Sequence, residues 1–288
     1  MTGRALGGKE IMNVAIVGCG YVGTAVARHW HQDNQHHITA TTTTKERVSE
    51  LEQVAQRVIV IKGDDETGLK SVVQDQDLIL LSVAPTRSLD GNSYEQTYLR
   101  TAKNLVKALQ QAPTVKQLIY TGSYSVYGEK NGAWVDEESP LTPANQNGEI
   151  LAETEQVLMA ALSENLKVCI LRLGGIYGLG RELTKIFSRA FGTTRPGTGE
   201  DFTNWIHLDD IVGAVDFAAV EKLQGIYNLV IKEPQSSRDL LDRLSEKYNL
   251  PKTIWNPSEQ QVRPYNTRVS NQKIEAAGYK FIHPEIML

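Results

Sequence analysis

The chain has 288 residues, 41% of them hydrophobic, with 30 Lys and Arg set against 34 Asp and Glu. That is enough apolar material for a substantial core, as one large α/β unit or as a core with a small appended lobe. A net charge of -4 with no long basic block argues against a surface that tracks nucleic-acid phosphates, and no run approaches the roughly 18 to 20 apolar residues of a membrane span. The two cysteines, Cys19 and Cys169, are far apart in sequence and read as small buried hydrophobes in a reducing, cytoplasmic setting. Residues 1–11 lack the apolar centre of a signal peptide and are expected to lie outside the fold, as an extension or the product of an upstream start.

The first informative stretch is Met12 to Thr24. Val14 to Val17 form a continuous apolar run, which reads as a strand buried on both faces, and Gly18-Cys19-Gly20-Tyr21-Val22-Gly23 follows without a gap. Val22, Ala25 and Val26 then fall at helical spacing, so the order is strand, glycine turn, helix. In that context each glycine has a physical task. Gly18 permits the tight turn, Gly20 removes the side chain that would hold a pyrophosphate off the backbone, and Gly23 lets the helix pack on the strand. The unpaired N–H groups and positive dipole end of the helix favour an anion, which makes a dinucleotide the first ligand to consider, held by Gly18, Gly20, Tyr21, Val22 and Gly23.

Next, His36 to Thr42 alternates as a second strand. A NAD-preferring site usually places a carboxylate about 20 residues after the glycines, on the ribose 2′-OH. This strand end offers Thr41 to Thr44, followed by Lys45 and Arg47. Nothing there repels a 2′-phosphate, so Thr42, Lys45 and Arg47 point to NADP rather than NAD; the alternative is that Lys45, Glu46 and Arg47 merely open a solvated helix. Val58 to Lys62 reads as a third strand and Asp77 to Val83 as a fourth, with Ala84 and Pro85 ending it at the edge where cofactors sit in such sheets. A helical face over Tyr94 to Leu109 stops before Pro113, and Val115 to Thr121 is a fifth strand. Strands and helices alternating in this way predict a parallel, doubly wound α/β sheet with right-handed crossovers.

Ligands in open α/β sheets bind beyond the carboxyl ends of strands, and the fifth strand ends in a cluster of hydroxyls at Ser123, Tyr124 and Ser125. A helix over Glu149 to Leu162, a sixth strand over Val168 to Leu173 and a glycine loop at 174–178 follow. Apolar periodicity weakens from Arg181 to Asp201, which predicts an excursion into a small substrate-side lobe. Ile211 to Val220 reads as a helix capped by Asp209 or Asp210, with His207 as a structural hydrogen-bonding residue. Gly225 to Val230 is a further strand, and helices are expected around Ser237 to Tyr248 and Asn271 to Ala277. On this reading residues 12–178 and 203–230 form the dinucleotide-binding core, and 179–202 with 231–288 the lobe.

Five landmarks in order, GCGYVG at 18–23, TGSYSVYG at 121–128, LRLGGIYGLGR at 171–181, WIHLDDIVGAV at 205–215 and IYNLV at 226–230, resemble the extended, epimerase/dehydratase-type branch of the short-chain dehydrogenase/reductase superfamily. The run at 126–140 resembles its atypical nucleoside-diphosphate-sugar epimerase-like members. The resemblance implies a Rossmann core, puts Asp64 near the adenine where a capping role is the alternative, and implies a homodimer through the helices after the fourth and fifth strands. It also implies a catalytic Ser with a Tyr-x-x-x-Lys pair. Ser123 matches the serine, but aligning Glu155 with the family's helix glutamate puts Asn147 at the tyrosine position and Leu151 at the lysine position.

Two functional classes remain. In one, an oxidoreductase or epimerase acts on a small polar, sugar-like substrate through Ser123 and another proton donor, for which Tyr124, Tyr127, Tyr177 and Glu149 are the candidates. In the other, the chain binds a dinucleotide without turnover, as a sensor or scaffold. No metal-ligand cluster is legible at recognisable spacing.

Overall fold

A computed structural model describes residues 11–34, 36–85, 94–259 and 265–288 of the chain. The extension expected at residues 1–11 lies, apart from Ile11, outside the described residues.

Seven parallel strands make the central sheet: β1 (Asn13–Val17), β2 (His37–Thr42), β3 (Arg57–Val60), β4 (Leu78–Leu81), β5 (Gln117–Ser123), β6 (Lys167–Leu173) and β7 (Gly225–Leu229). Their spatial order is β7-β6-β5-β4-β1-β2-β3. The winding reverses between β1 and β4, and the glycine turn leaves the sheet beside that switch point. The α-helices of eight or more residues are α1 (Tyr21–His29), α2 (Glu66–Val73), α3 (Thr101–Leu109), α4 (Gln146–Met159), α5 (Leu208–Val220) and α6 (Ser237–Tyr248), with shorter ones at Val48–Leu51, Leu183–Ile186 and Gln272–Ala276.

The apolar run in β1 shows why the sheet is covered on both sides. Successive strand side chains point to opposite faces. Val14 and Ile16 join Val22 and Val26 of α1 and Ile211 and Val215 of α5 in one buried cluster. Ala15 and Val17 join Leu69 and Val72 of α2, Leu105 of α3 and Leu158 of α4 in another. Each of the larger side chains contributes roughly 1.5–3 kcal/mol on burial. Trp30, fully buried, ties the first layer together by donating from its indole N–H to Asp216 of α5 at 3.0 Å.

Both cysteines are free and buried, and burial pushes each thiol up to about 12, so neither is a thiolate at neutral pH. No helix among the described residues is long and apolar enough to cross a membrane.

Some boundaries differ from the sequence reading, for local reasons. The helix expected from Glu149 begins at Gln146, because Asn145 caps it by accepting from the Gly148 N–H at 3.0 Å; Glu149 then stands in its first turn. The helical segment after Tyr94 is widely wound over Glu95–Arg100 before tightening into α3. At α5 the expected cap is corrected. Neither Asp209 nor Asp210 caps it; His207 does, its Nδ1 accepting from the Asp209 N–H at 3.2 Å. Burial, with His283 beside it, lowers the His207 pKa and favours the neutral ring that this bond needs. Asp210 is fully buried and accepts instead from the Tyr279 hydroxyl and the Ile282 and His283 N–H groups.

Outside the sheet, Tyr177, Leu183, Trp205, Leu240, Leu244 and Ile286 share a further buried cluster, which joins the 179–202 excursion to α6 and the chain end.

Candidate functional site

The turn after β1 is built by close approach. Gly18 has φ +96°, and a Cβ there would stand 2.6 Å from the Ser82 carbonyl oxygen. A Cβ on Gly23 would stand 2.5 Å from the Gly18 carbonyl oxygen, so α1 packs against the turn backbone. Gly20 differs from both: a Cβ added to it meets nothing within 4 Å. The fold therefore requires Gly18 and Gly23, whereas Gly20 keeps a space clear. The end of β2 secures the turn, with the Gly18 N–H donating to the Thr41 hydroxyl and the Cys19 N–H to the Thr41 carbonyl, each at 2.9 Å. No side chain caps the N-terminus of α1, and no carboxylate lies in its first turn, which leaves the dipole end available to an anion.

Among the other residues named from the sequence, Val22 is buried in the core, so only its backbone can face a ligand. Tyr21 turns its side chain away and donates to the Leu179 carbonyl at 2.8 Å, with the Arg181 guanidinium over its ring at 5.3 Å. Thr42 is buried and accepts from the Thr44 N–H at 3.1 Å. Lys45 is exposed in the turn after β2. Arg47 reaches back over the glycine turn, donating to the Cys19 carbonyl and, at 3.1 Å, to the Thr24 hydroxyl, while Glu50 forms an ion pair with it at 3.1 Å. Asp64 and Ala84 are exposed just past the ends of β3 and β4. The capping role considered for Asp64 belongs to its neighbour Asp65, which accepts from the Gly68 N–H at the start of α2. All these positions sit along the carboxyl edge of the sheet.

Further along that edge lies a cavity of about 320 Å³ bounded by the ends of β5 and β6 and by α4. Ser123 and Ser125 line it with their hydroxyls 2.9 Å apart, and Ser123 also accepts from the Ser125 N–H. Tyr124 lines it too, packed edge-on to Tyr265 at 5.6 Å. Leu151 reaches the same cavity from α4, while Asn147, one turn earlier, is exposed and outside its wall. Thus one position of the expected relay pair borders the cavity, and its side chain carries no charge. Tyr94 and Tyr98 supply phenols to the wall, but burial raises the pKa of both. An ammonium next to a phenol would lower it. These two phenols are suited to donating hydrogen bonds and poorly suited to acting as bases.

Two other candidate donors stand outside the cavity wall. The Tyr127 hydroxyl donates to Asn228 and accepts from Arg172, both at 2.8 Å. The Tyr177 hydroxyl accepts from the Met287 N–H at 3.0 Å. Glu149 is exposed on α4 and does not line the cavity.

Behind the cavity stands a group that sequence reasoning used only as an alignment marker. Glu155 and Arg172 form a buried ion pair at 2.7 Å, with Arg172 Nε also donating to both carboxylate oxygens at 3.1 and 3.2 Å. Both side chains are almost completely buried, at 3% and 2% exposure, so removing either leaves an uncompensated charge. Glu155→Ala is expected to destabilise the fold by about 3–5 kcal/mol, whereas the double variant Glu155→Leu with Arg172→Met costs less. Urea unfolding of both variants checks this, and a double variant weaker than Glu155→Ala would contradict it. Thr203, Asn204, Trp205 and Tyr265 also line the cavity. They come from segments 80 or more residues beyond Ser123; Trp205 opens the landmark at 205–215 without being marked there as a site residue, and no local motif marks the other three.

Residues 14–229 match the NAD dependent epimerase/dehydratase family. The protein YeeZ of Escherichia coli K12 is 32% identical over 233 residues, covering 75% of this chain and 76% of that protein. In three dimensions the chain resembles a functionally unknown conserved protein from Silicibacter pomeroyi (TM-score 0.76, 23% identity, 95% of each chain). It also resembles the UDP-glucuronic acid 4-epimerase of Bacillus cereus in complex with NAD (TM-score 0.76, 19% identity, 96% of this chain and 94% of that one). With the glycine turn, the doubly wound sheet and the cavity at its carboxyl edge all present, the chain belongs to the NAD dependent epimerase/dehydratase family.

Proposed function

We propose that the protein binds a nicotinamide dinucleotide across the carboxyl edge of its sheet and acts as an oxidoreductase or epimerase on a small polar, sugar-like substrate, without a Tyr–Lys proton relay. The observation that carries this reading is the clear space at Gly20 between two glycines that the fold itself requires, with a polar cavity on the same edge. When bound, such a cofactor supplies or accepts a hydride. The chain's own part is to hold the pyrophosphate on the turn backbone and to orient a substrate hydroxyl or carbonyl against Ser123 and Tyr124.

A second reading, binding without turnover, is favoured by Leu151 on the cavity wall and by the raised phenols of Tyr94 and Tyr98. Turnover of NADPH against a panel of sugars, aldehydes and ketones separates the two: measurable oxidation supports the enzyme, and tight binding with none supports the sensor.

The preferred form is NADP(H). Thr41 to Thr44 place no carboxylate at the end of β2, and the Arg47 guanidinium lies over the turn. Hydrogen bonds to charged groups contribute about 1.5–3 kcal/mol, so Arg47→Gln should weaken NADPH binding about ten- to a hundredfold and leave NADH nearly unchanged. The NADPH preference should also shrink with added salt. Tighter binding of NADH than NADPH at low ionic strength would refute this assignment.

A further inference from the structure

The strand at Trp205–His207 runs directly into α5, and the chain after Tyr279 folds back over that junction. Asp210 holds the returning segment, accepting from the Ile282 N–H at 2.6 Å and the His283 N–H at 3.0 Å. Three side chains remote in sequence are thereby brought together. His283 Nε2 lies 3.1 Å and His207 Nδ1 3.4 Å from the same oxygen, Oδ2 of Asp209. The two imidazole centres are 4.1 Å apart, and one ligand atom from each of the three residues lies within 4.8 Å of the other two.

We propose that His207, Asp209 and His283 form a binding site for a divalent transition-metal ion of the zinc class, which clamps the carboxyl-terminal segment to the start of α5. Two imidazoles and one carboxylate suit zinc, cobalt or nickel, whereas magnesium and calcium call for oxygen ligands. Spacing agrees with that chemistry. Ligand atoms about 2.0–2.1 Å from a tetrahedral ion stand about 3.3 Å from one another, and the two His–Asp separations fall on either side of this value.

Access is also present. The Asp209 side chain is 58% exposed, so an ion can reach the cluster from solvent. His207 in addition borders a cavity of about 160 Å³ walled by Tyr177, Glu182, Leu244 and Met287. Binding replaces the His283–Asp209 hydrogen bond with two metal bonds, and His283 carries its remaining proton on Nδ1. An ion bound at His207 Nδ1 also takes the place of the Asp209 N–H there.

The His207 Nε2 and the Tyr21 hydroxyl both lie 3.3 Å from the point where a Cβ on Gly178 would stand.

The test uses the full chain without an affinity tag, stripped with EDTA and titrated with Co²⁺ while the visible absorption of four-coordinate cobalt is recorded. One equivalent should bind, and added Zn²⁺ should displace it. His283→Ala and Asp209→Asn should each weaken uptake by about a hundredfold or more, because loss of an outer partner alone costs 10–100-fold. His31→Ala, in the separate histidine group near the first helix, should leave uptake unchanged. Zn²⁺ should raise the melting temperature of the unmodified protein and not that of Asp209→Asn, whose side chain is too exposed for its change to unfold the chain. Absence of the cobalt band, or a band that survives in both His283→Ala and Asp209→Asn, overturns the proposal.

Discussion

Gly20→Val is expected to abolish NADPH binding while changing the stability of the free protein by no more than about 1 kcal/mol. The asymmetry among the three glycines is the reason. At Gly20, where φ is -82° and so outside the left-handed region, an added Cβ enters open space, and a side chain there stands where a ligand would approach. At Gly18 and Gly23 the added carbon would lie 2.6 and 2.5 Å from carbonyl oxygens, and valine at either should cost the fold 1–3 kcal/mol or more, about what overpacking costs elsewhere. Calorimetric titration with NADPH, run beside thermal unfolding of the three variants, separates loss of binding from loss of fold. Unchanged affinity in Gly20→Val would place the cofactor elsewhere.

Little or no turnover is expected with common nucleotide sugars. General acid–base assistance is typically worth 10²–10⁴ in rate, and neither Asn147 nor Leu151 can supply it. Tyr127 donates its proton to Asn228, neither Tyr127 nor Tyr177 lines the cavity, and Ser123 is a poor proton donor by itself at neutral pH. Restoring the pair as Asn147→Tyr with Leu151→Lys should not raise the rate much, because position 147 is exposed and an ammonium at 151 would sit against the apolar packing of Val126 and Ala152. Ser123→Ala should then have a small effect. Brisk epimerisation of such a sugar by the unmodified protein, lost on Ser123→Ala, would mean that a working relay exists.

The sheet and the cofactor edge were legible because both rest on short-range patterns. An apolar strand followed at once by G-x-G-x-x-G predicts β1, the turn and α1, and Thr41 and Arg47 lie close enough in sequence to be counted from the glycines. The substrate side was only half legible. Ser123 and Tyr124 follow directly from a strand end, but Tyr94, Asn204, Trp205 and Tyr265 reach the cavity through crossovers of the chain, and no periodicity encodes that. Glu155 and Arg172 are two ordinary charges in sequence and become a buried pair only when α4 lies on β6. The cap of α5 departs from the sequence expectation for a related reason. Asp209 and Asp210 are the usual capping types, yet Asp210 is drawn inward by the tail residues 282 and 283, and the imidazole one place before the helix takes the cap. The same long-range folding brings His283 to His207, which is why the metal site had no sequence signature.

A structure of the protein with NADP bound would show whether a dinucleotide is held on the glycine turn and faces a cavity without a relay. The pyrophosphate is expected against Gly20 and the N-terminus of α1, the 2′-phosphate beside Arg47, and Ser123 as the hydroxyl within about 3 Å of the space facing the nicotinamide, with Leu151 next to it. A dinucleotide bound away from Gly20, or a tyrosine with a lysine beside it facing the nicotinamide, would contradict that arrangement.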